Sequence, residues 1–127
     1  MNPNGVVVFP SHYSVKETID RLQAFLLQRG VTIYARIDQQ AEVNNTGQNL
    51  LPLEFIMFGN PKVGGLVMAE NPMAALDLPL KAIAWQDAQQ HVWIACNDVI
   101  YLQQRFGLPG ALIAPLDITT IVAKALE

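Results

Sequence analysis

The residues with types and spacing suited to chemistry cluster around Gly59-Asn60-Pro61-Lys62-Val63-Gly64-Gly65. Glycines let successive backbone N–H groups converge on one point, and Lys62 adds a positive charge. Together they could cradle an anionic or carbonyl group. The stretch is not a phosphate-binding P-loop, because Gly65 and Leu66 stand where lysine and Ser/Thr are required. The competing reading is architectural: a tight turn that needs positive φ at glycine. Two carboxylates complete the set. Asp38 ends an alternating apolar-polar run, and Asp77 precedes Leu78-Pro79. Brought together they would serve acid–base work; apart, Asp77 would cap a turn. The pocket expected from this pattern is a ligand site made by Asp38, Asn60, Lys62 and Asp77, with Phe58, Leu66 and Met68 as apolar walls.

Other chemistries find little material. The two histidines, His12 and His91, and the single cysteine, Cys96, show no metal-ligand spacing among them. No metal site is expected from them. No cofactor is expected either, for neither a Gly-x-Gly-x-x-Gly fingerprint nor a Gly-x-Ser-x-Gly elbow is present. Cys96 lies in an apolar run and reads as a buried, inert thiol. Trp85 and Trp93 flank a polar turn and read as core or interface anchors.

These groups must be held by a folded scaffold, and the composition permits one. The chain has 127 residues, read as a single domain over 1–127, with 51% hydrophobic and 15% charged residues. That is too apolar for disorder. No apolar run approaches the ~20 residues of a membrane-crossing helix, so no membrane partner is expected. The net charge of −3, with lysines and arginines scattered singly, gives no basic patch for nucleic acid. The start MNPNGVVVFP lacks a basic n-region, and with one cysteine the expected location is the cytoplasm. The high apolar share on a short chain favours a homodimer.

The positioning elements follow from periodicity. Val6 to Phe9 is a strand stopped by Pro10. Ser14-Val15-Lys16-Glu17 is a capping box, and Val15, Ile19, Leu22 and Leu26 then recur at helical spacing until Gly30. Residues 31–38 alternate as a half-buried strand, 41–49 read as a short helix or loop, and 53–58 as a central strand. Pro72 to Leu76 reads as one helical turn. Leu80 to Trp85 and Val92 to Cys96 form a hairpin about residues 86–90. Asp98 to Phe106 reads as a helix stopped by Gly107, with a break at Leu108-Pro109-Gly110. Leu116 to Leu126 reads as a last helix with Ile118, Ile121, Val122 and Ala125 on one stripe. The order is β-α-β-β-β-β-α, an α+β domain with helices packed on one face of an antiparallel sheet.

FGNPKVGGLVM, followed by ALDLPLKAIAW and YLQQRFGL, resembles the domain of unknown function family number 302 over nearly the whole chain. The motif is carried by Phe58-Gly59-Asn60-Pro61, Lys62, Gly64, Met68 and Asp77-Leu78-Pro79, with Asp38 ending an earlier strand. The resemblance implies a TATA-binding-protein-like α+β fold, a dimer, and no established activity. Where members of that family carry histidines after the strand-ending aspartate and before Gly-Leu, this chain has Gln39 and Phe106. Val99 stands where they have proline. A metal or proton-transfer role resting on those histidines is therefore not expected here.

Three functional readings result. The favoured one is a non-enzymatic homodimeric domain that binds a small molecule or a protein. The alternative is a small enzyme using Asp38 or Asp77 as acid or base, which requires a pocket with a perturbed carboxylate. The third, metal handling, requires ligands shared across a dimer.

Overall fold

The computed structural model describes residues 3–127. Ser14 opens the first helix, α1 (Val15–Gln28), and its side-chain oxygen accepts a hydrogen bond from the Glu17 amide at 3.0 Å. The expected stripe is the buried one: Ile19, Leu22 and Leu26 are completely inaccessible and Val15 is nearly so. The helix stops at Gly30, where φ is +71°, a conformation that costs glycine nothing.

Five strands, β1 (Val6–Ser11), β2 (Thr32–Asp38), β3 (Leu53–Gly59), β4 (Leu80–Gln86) and β5 (Val92–Asn97), form one sheet. Their order is β1-β5-β4-β3-β2, and every neighbouring pair is antiparallel. The fold is α+β, and the five strands fall in the expected sequence positions. Helix α1 lies across the strands and is backed by the last helix. The main core gathers the α1 stripe with Ile56, Phe58, Ala84, Ile94 and Val122. Arg36 also faces this side of edge strand β2, and its charge is met there by carboxylates. It lies 2.7 Å from Asp20 and 3.0 Å from Glu54, which is itself buried. A buried charge persists only when paired in this way.

Two further helices interrupt the expected strand series: α2 (Gln39–Asn44) follows β2, and α3 (Pro61–Glu70) follows β3. The second corrects the sequence reading. Gly64 and Gly65 are neither an anion cradle nor a positive-φ turn; they lie inside a helix. The cause is local. Asn60 caps the helix by accepting from the Lys62 amide at 3.0 Å, and Pro61 supplies a φ already suited to the first turn. Val67, almost fully buried, anchors the middle of the helix. Those contributions outweigh the ~1 kcal/mol that each glycine costs relative to alanine.

A 3-10 turn over Pro72–Leu76, then α4 (Val99–Phe106), α5 (Gly110–Ile113) and α6 (Thr119–Ala125) complete the chain. With α3, the 3-10 turn, α4 and α5 enclose a second, smaller core of Val67, Ala74, Leu102, Phe106, Leu108, Ile113 and Leu116, while α6 packs on α1. Asp98 caps α4 and Gly107 ends it at φ +63°. The last helix starts three residues later than its apolar pattern does, at Thr119, whose amide donates to Asp117 at 3.0 Å.

Because Leu22 is fully enclosed between α1 and the sheet, Leu22→Ala is expected to lower stability by about 2–5 kcal/mol. Urea denaturation monitored by circular dichroism measures this, and a loss below about 1 kcal/mol would contradict the packing described.

Candidate functional site

The main core and the smaller core do not merge at one end of the sheet. Between them lies a crevice of about 220 Å³. Its floor is apolar and buried: Leu26 from α1, Phe58 from β3, Leu116 and Ile118 ahead of α6. Val63, Gly64 and Met68 of α3 form one wall, and Leu78, Pro79 and Leu80 lead into β4 along another. Tyr34, Asn60, Pro115 and Asp117 are exposed and form the rim. The volume exceeds the ~150 Å³ that accepts benzene in an engineered cavity. It falls short of the roughly 300–1,000 Å³ typical for drug-sized ligands.

The four residues expected to converge do not. Asn60 lines the crevice; Asp38, Lys62 and Asp77 do not. Asp38 is exposed and caps α2, accepting from the Ala41 amide at 2.9 Å. It sits at the far end of β2, whose near end, Thr32, pairs with Gly59 at the crevice. Six residues of extended chain separate the two ends, about 20 Å. Asp77 accepts from Arg105 Nη1 at 2.9 Å, and Arg105 also donates to the Tyr101 hydroxyl at 3.3 Å. That pairing ties the turn before β4 to α4, so the carboxylate holds an ion pair rather than a turn amide. Lys62 lies exposed on the first turn of α3. Of the walls named from sequence, Phe58 and Met68 line the crevice, whereas Leu66 projects outward at 63% exposure.

The local electrostatics also argue against an anion cradle. Pro61 has no N–H, the Lys62 amide is taken by the Asn60 side chain, and the Gly64 amide donates to the Asn60 carbonyl at 2.8 Å. The ionised group on the rim is a carboxylate, Asp117, and its Oδ1 accepts from the Thr119 amide and hydroxyl. The crevice therefore offers apolar surface, an amide, a phenol and a negative charge. It suits a small apolar body with a neutral or cationic polar end, and it repels an anion. Among the described residues no group of three or more His, Cys, Asp or Glu side chains could hold a metal. Cys96 is buried in β5, and burial pushes its thiol up to about 11, so it is protonated and unreactive at neutral pH.

Sequence reasoning missed Tyr34, Asp117 and, apart from Phe58, the floor residues as site residues. Each was visible only in another role: Tyr34 as the polar position of an alternating strand, Asp117 as a helix-start residue, Leu26 and Ile118 as members of apolar stripes. Nothing in the spacing linked Arg105 to Asp77.

These features define a class: a small α+β domain whose sheet carries helices on one face, with an apolar crevice at the junction of two cores. The chain belongs to the family described as Domain of unknown function DUF302, whose model matches residues 7–125. Its fold is that of an uncharacterised conserved DUF302 protein from Bacillus stearothermophilus, with a TM-score of 0.81. The sequences are 22% identical, and the superposition covers 98% of this chain and 97% of that one. The chain is also 39% identical over 105 residues to proteins of Brucella suis biovar 1 and Brucella abortus biovar 1 named fluoride-specific ion channel FluC 1. Those matches take in 83% of this chain but 41% and 39% of the relatives. The chain thus spans about two fifths of the length of the curated relatives it matches. Among its described residues no helix is long and apolar enough to cross a membrane.

The helical setting of the glycines yields a direct check. Gly65 has no heavy atom within 4 Å of where a Cβ would stand, and its φ is not positive. Gly65→Ala is therefore expected to stabilise the fold by about 0.4–1 kcal/mol. Destabilisation in urea melts would restore the turn reading of this segment.

Proposed function

We propose that this chain is a non-enzymatic binding domain that seats a small, largely apolar molecule in the crevice between its two cores. The observation that carries the reading is the crevice itself. It has a buried apolar floor, a rim of Tyr34, Asn60 and Asp117, and a volume of about 220 Å³. A monomeric fold that left such apolar surface unfilled would forgo dispersion contacts along the whole lining. The acid–base alternative loses its basis, because neither Asp38 nor Asp77 lines the crevice, and Asp117 is the one carboxylate that does. We assign the domain to the cytoplasm, which suits its lone buried thiol.

Ligand-observed NMR with indole and benzyl alcohol as probes tests this reading. Both are expected to bind at millimolar concentration or tighter. Val63→Phe, which fills the crevice from α3, is expected to abolish that binding with circular dichroism unchanged. Absence of binding by either probe, or binding indifferent to Val63→Phe in a folded protein, would sink the proposal.

The Brucella relatives support a second reading, in which the domain is an accessory to a fluoride channel rather than part of the ion path. The crevice carries a carboxylate on its rim and so is no anion site; the contribution would be contact or regulation. Removing the matching segment from the Brucella suis protein should then alter fluoride efflux from liposomes. Unchanged efflux would remove this reading and leave the first intact.

A further inference from the structure

The helices cover one face of the sheet, and the opposite face is apolar. Register identifies its residues without ambiguity. Val8 pairs with Ala95, Ala95 with Ile83, Ile83 with Phe55, and Phe55 with Ile37. Paired residues share a face, so these five side chains form one apolar belt across all five strands. A second row, Pro10, Trp93, Trp85 and Leu53, runs beside it. The polar strand positions of this face, Thr32, Lys81 and Asn97, lie toward one end, and Asp87 and His91 stand against Trp93 at the other, so the apolar belt lies between them. Antiparallel sheets that meet water on one side normally alternate apolar-in and polar-out. This one does not. Val8 is 49% exposed, and Ile37 and Ile83 are each 37% exposed.

We propose that this face is where a second copy of the chain docks, making a homodimer in which two sheets stack face to face. The middle residue of the middle strand is Ile83. A two-fold axis lying between the sheets above Ile83 sets the belt of one copy on the belt of the other, the self-complementary arrangement that such symmetry requires. The relief fits as well. Ala95 leaves a depression of about 170 Å³, bordered by Val6, Phe55 and Ile83, beside the protruding Val8. Stacked sheets interdigitate side chains of that kind at a spacing of about 10 Å. The area is sufficient. Five strands about 4.8 Å apart and about 20 Å long present roughly 500 Å² in projection. Two copies therefore cover roughly 1,000 Å², the size at which specific interfaces begin, before side-chain relief is added. The proposal is independent of the crevice, which opens on the helix side.

Sedimentation equilibrium at tens of micromolar measures the state directly, and a dimer is expected. Ile83→Glu places a carboxylate at the centre of the contact, and Val8→Glu places one on edge strand β1, where the fold tolerates it more readily. Each is expected to weaken dimerisation on the order of 100-fold or more, with circular dichroism retained. Ile83→Cys is expected to yield a covalent dimer with a short bifunctional maleimide, since the two Ile83 positions face each other across the axis, stacked sheets stand too far apart for a direct disulfide, and Cys96 is buried. A monomeric wild type, as expected if the face serves a different protein or a lipid surface, would overturn the proposal. So would a dimer indifferent to Val8→Glu in folded protein together with no cross-link through Ile83→Cys.

Discussion

The seating of α1 across the sheet is the contact on which the rest of the molecule depends. Ile19, Leu22 and Leu26 lose all contact with water there, and each such side chain contributes about 1.5–3 kcal/mol to folding. The same contact orders the chain beyond the core. Arg21, on the polar side of α1, donates to the carbonyls of Ala125 and Glu127 and lies 4.2 Å from the Tyr13 ring, which holds α6 against the helix. Arg36 and Glu54 extend the hold from α1 to the strand edge through Asp20. The Asp20 carboxyl sits below its ordinary value, chiefly through its bond to Lys16, with Arg36 assisting.

The crevice arises because this core and its smaller neighbour share Leu80 but few other side chains. A domain of this size can close one continuous core; here the segment from β3 to β4 instead folds into α3 and a 3-10 turn, and these pack with α4 and α5. The seam has no large side chain to fill it. Gly64 stands in its wall, where a Cβ would meet Met68 Cε at 3.8 Å. Leu26 and Phe58 belong at once to the main core and to the crevice floor. The floor is thus rigid for the same reason that the fold is stable, which is the condition for a preformed binding surface.

What was legible in the sequence was whatever a single element decides by itself. Ser14, Gly30, Asp98 and Gly107 mark helix ends because their chemistry acts on adjacent backbone, and the alternation in 31–38 marks a strand. It does not fix the facing, because a register shift between Ile33 and Ala35 turns Ala35 and Ile37 to the outer face and Arg36 to the core side. The helix at 61–70 was hidden because its glycines signal a turn, whereas its cap, its leading proline and the burial of Val67 act together, and the last of these is a tertiary fact. The site was hidden for a related reason. Asp38 and Asn60 look close when read as residues flanking strands, yet β2 and β3 run antiparallel, so the end of one lies beside the start of the other. Asp38 pairs with Glu54, and Gly59 beside Asn60 pairs with Thr32. Strand direction alone put the two a full strand apart.

The two apolar surfaces left open, crevice and outer sheet face, differ in what can satisfy them. The crevice is concave, narrow and rimmed by hydrogen-bonding groups, so a small molecule can meet both its floor and its edge. The outer face is broad, and its polar groups lie at its two ends, so a small molecule would leave most of the apolar middle in water. Only another extended apolar surface matches it in size. Each surface thus selects its own class of occupant by shape before any specific bond is made, and the sheet lies between them. A ligand under the helices and a second copy on the opposite face would touch neighbouring residues of the same strands, Phe58 inward and Met57 outward. Filling one side stiffens the layer that the other side packs against.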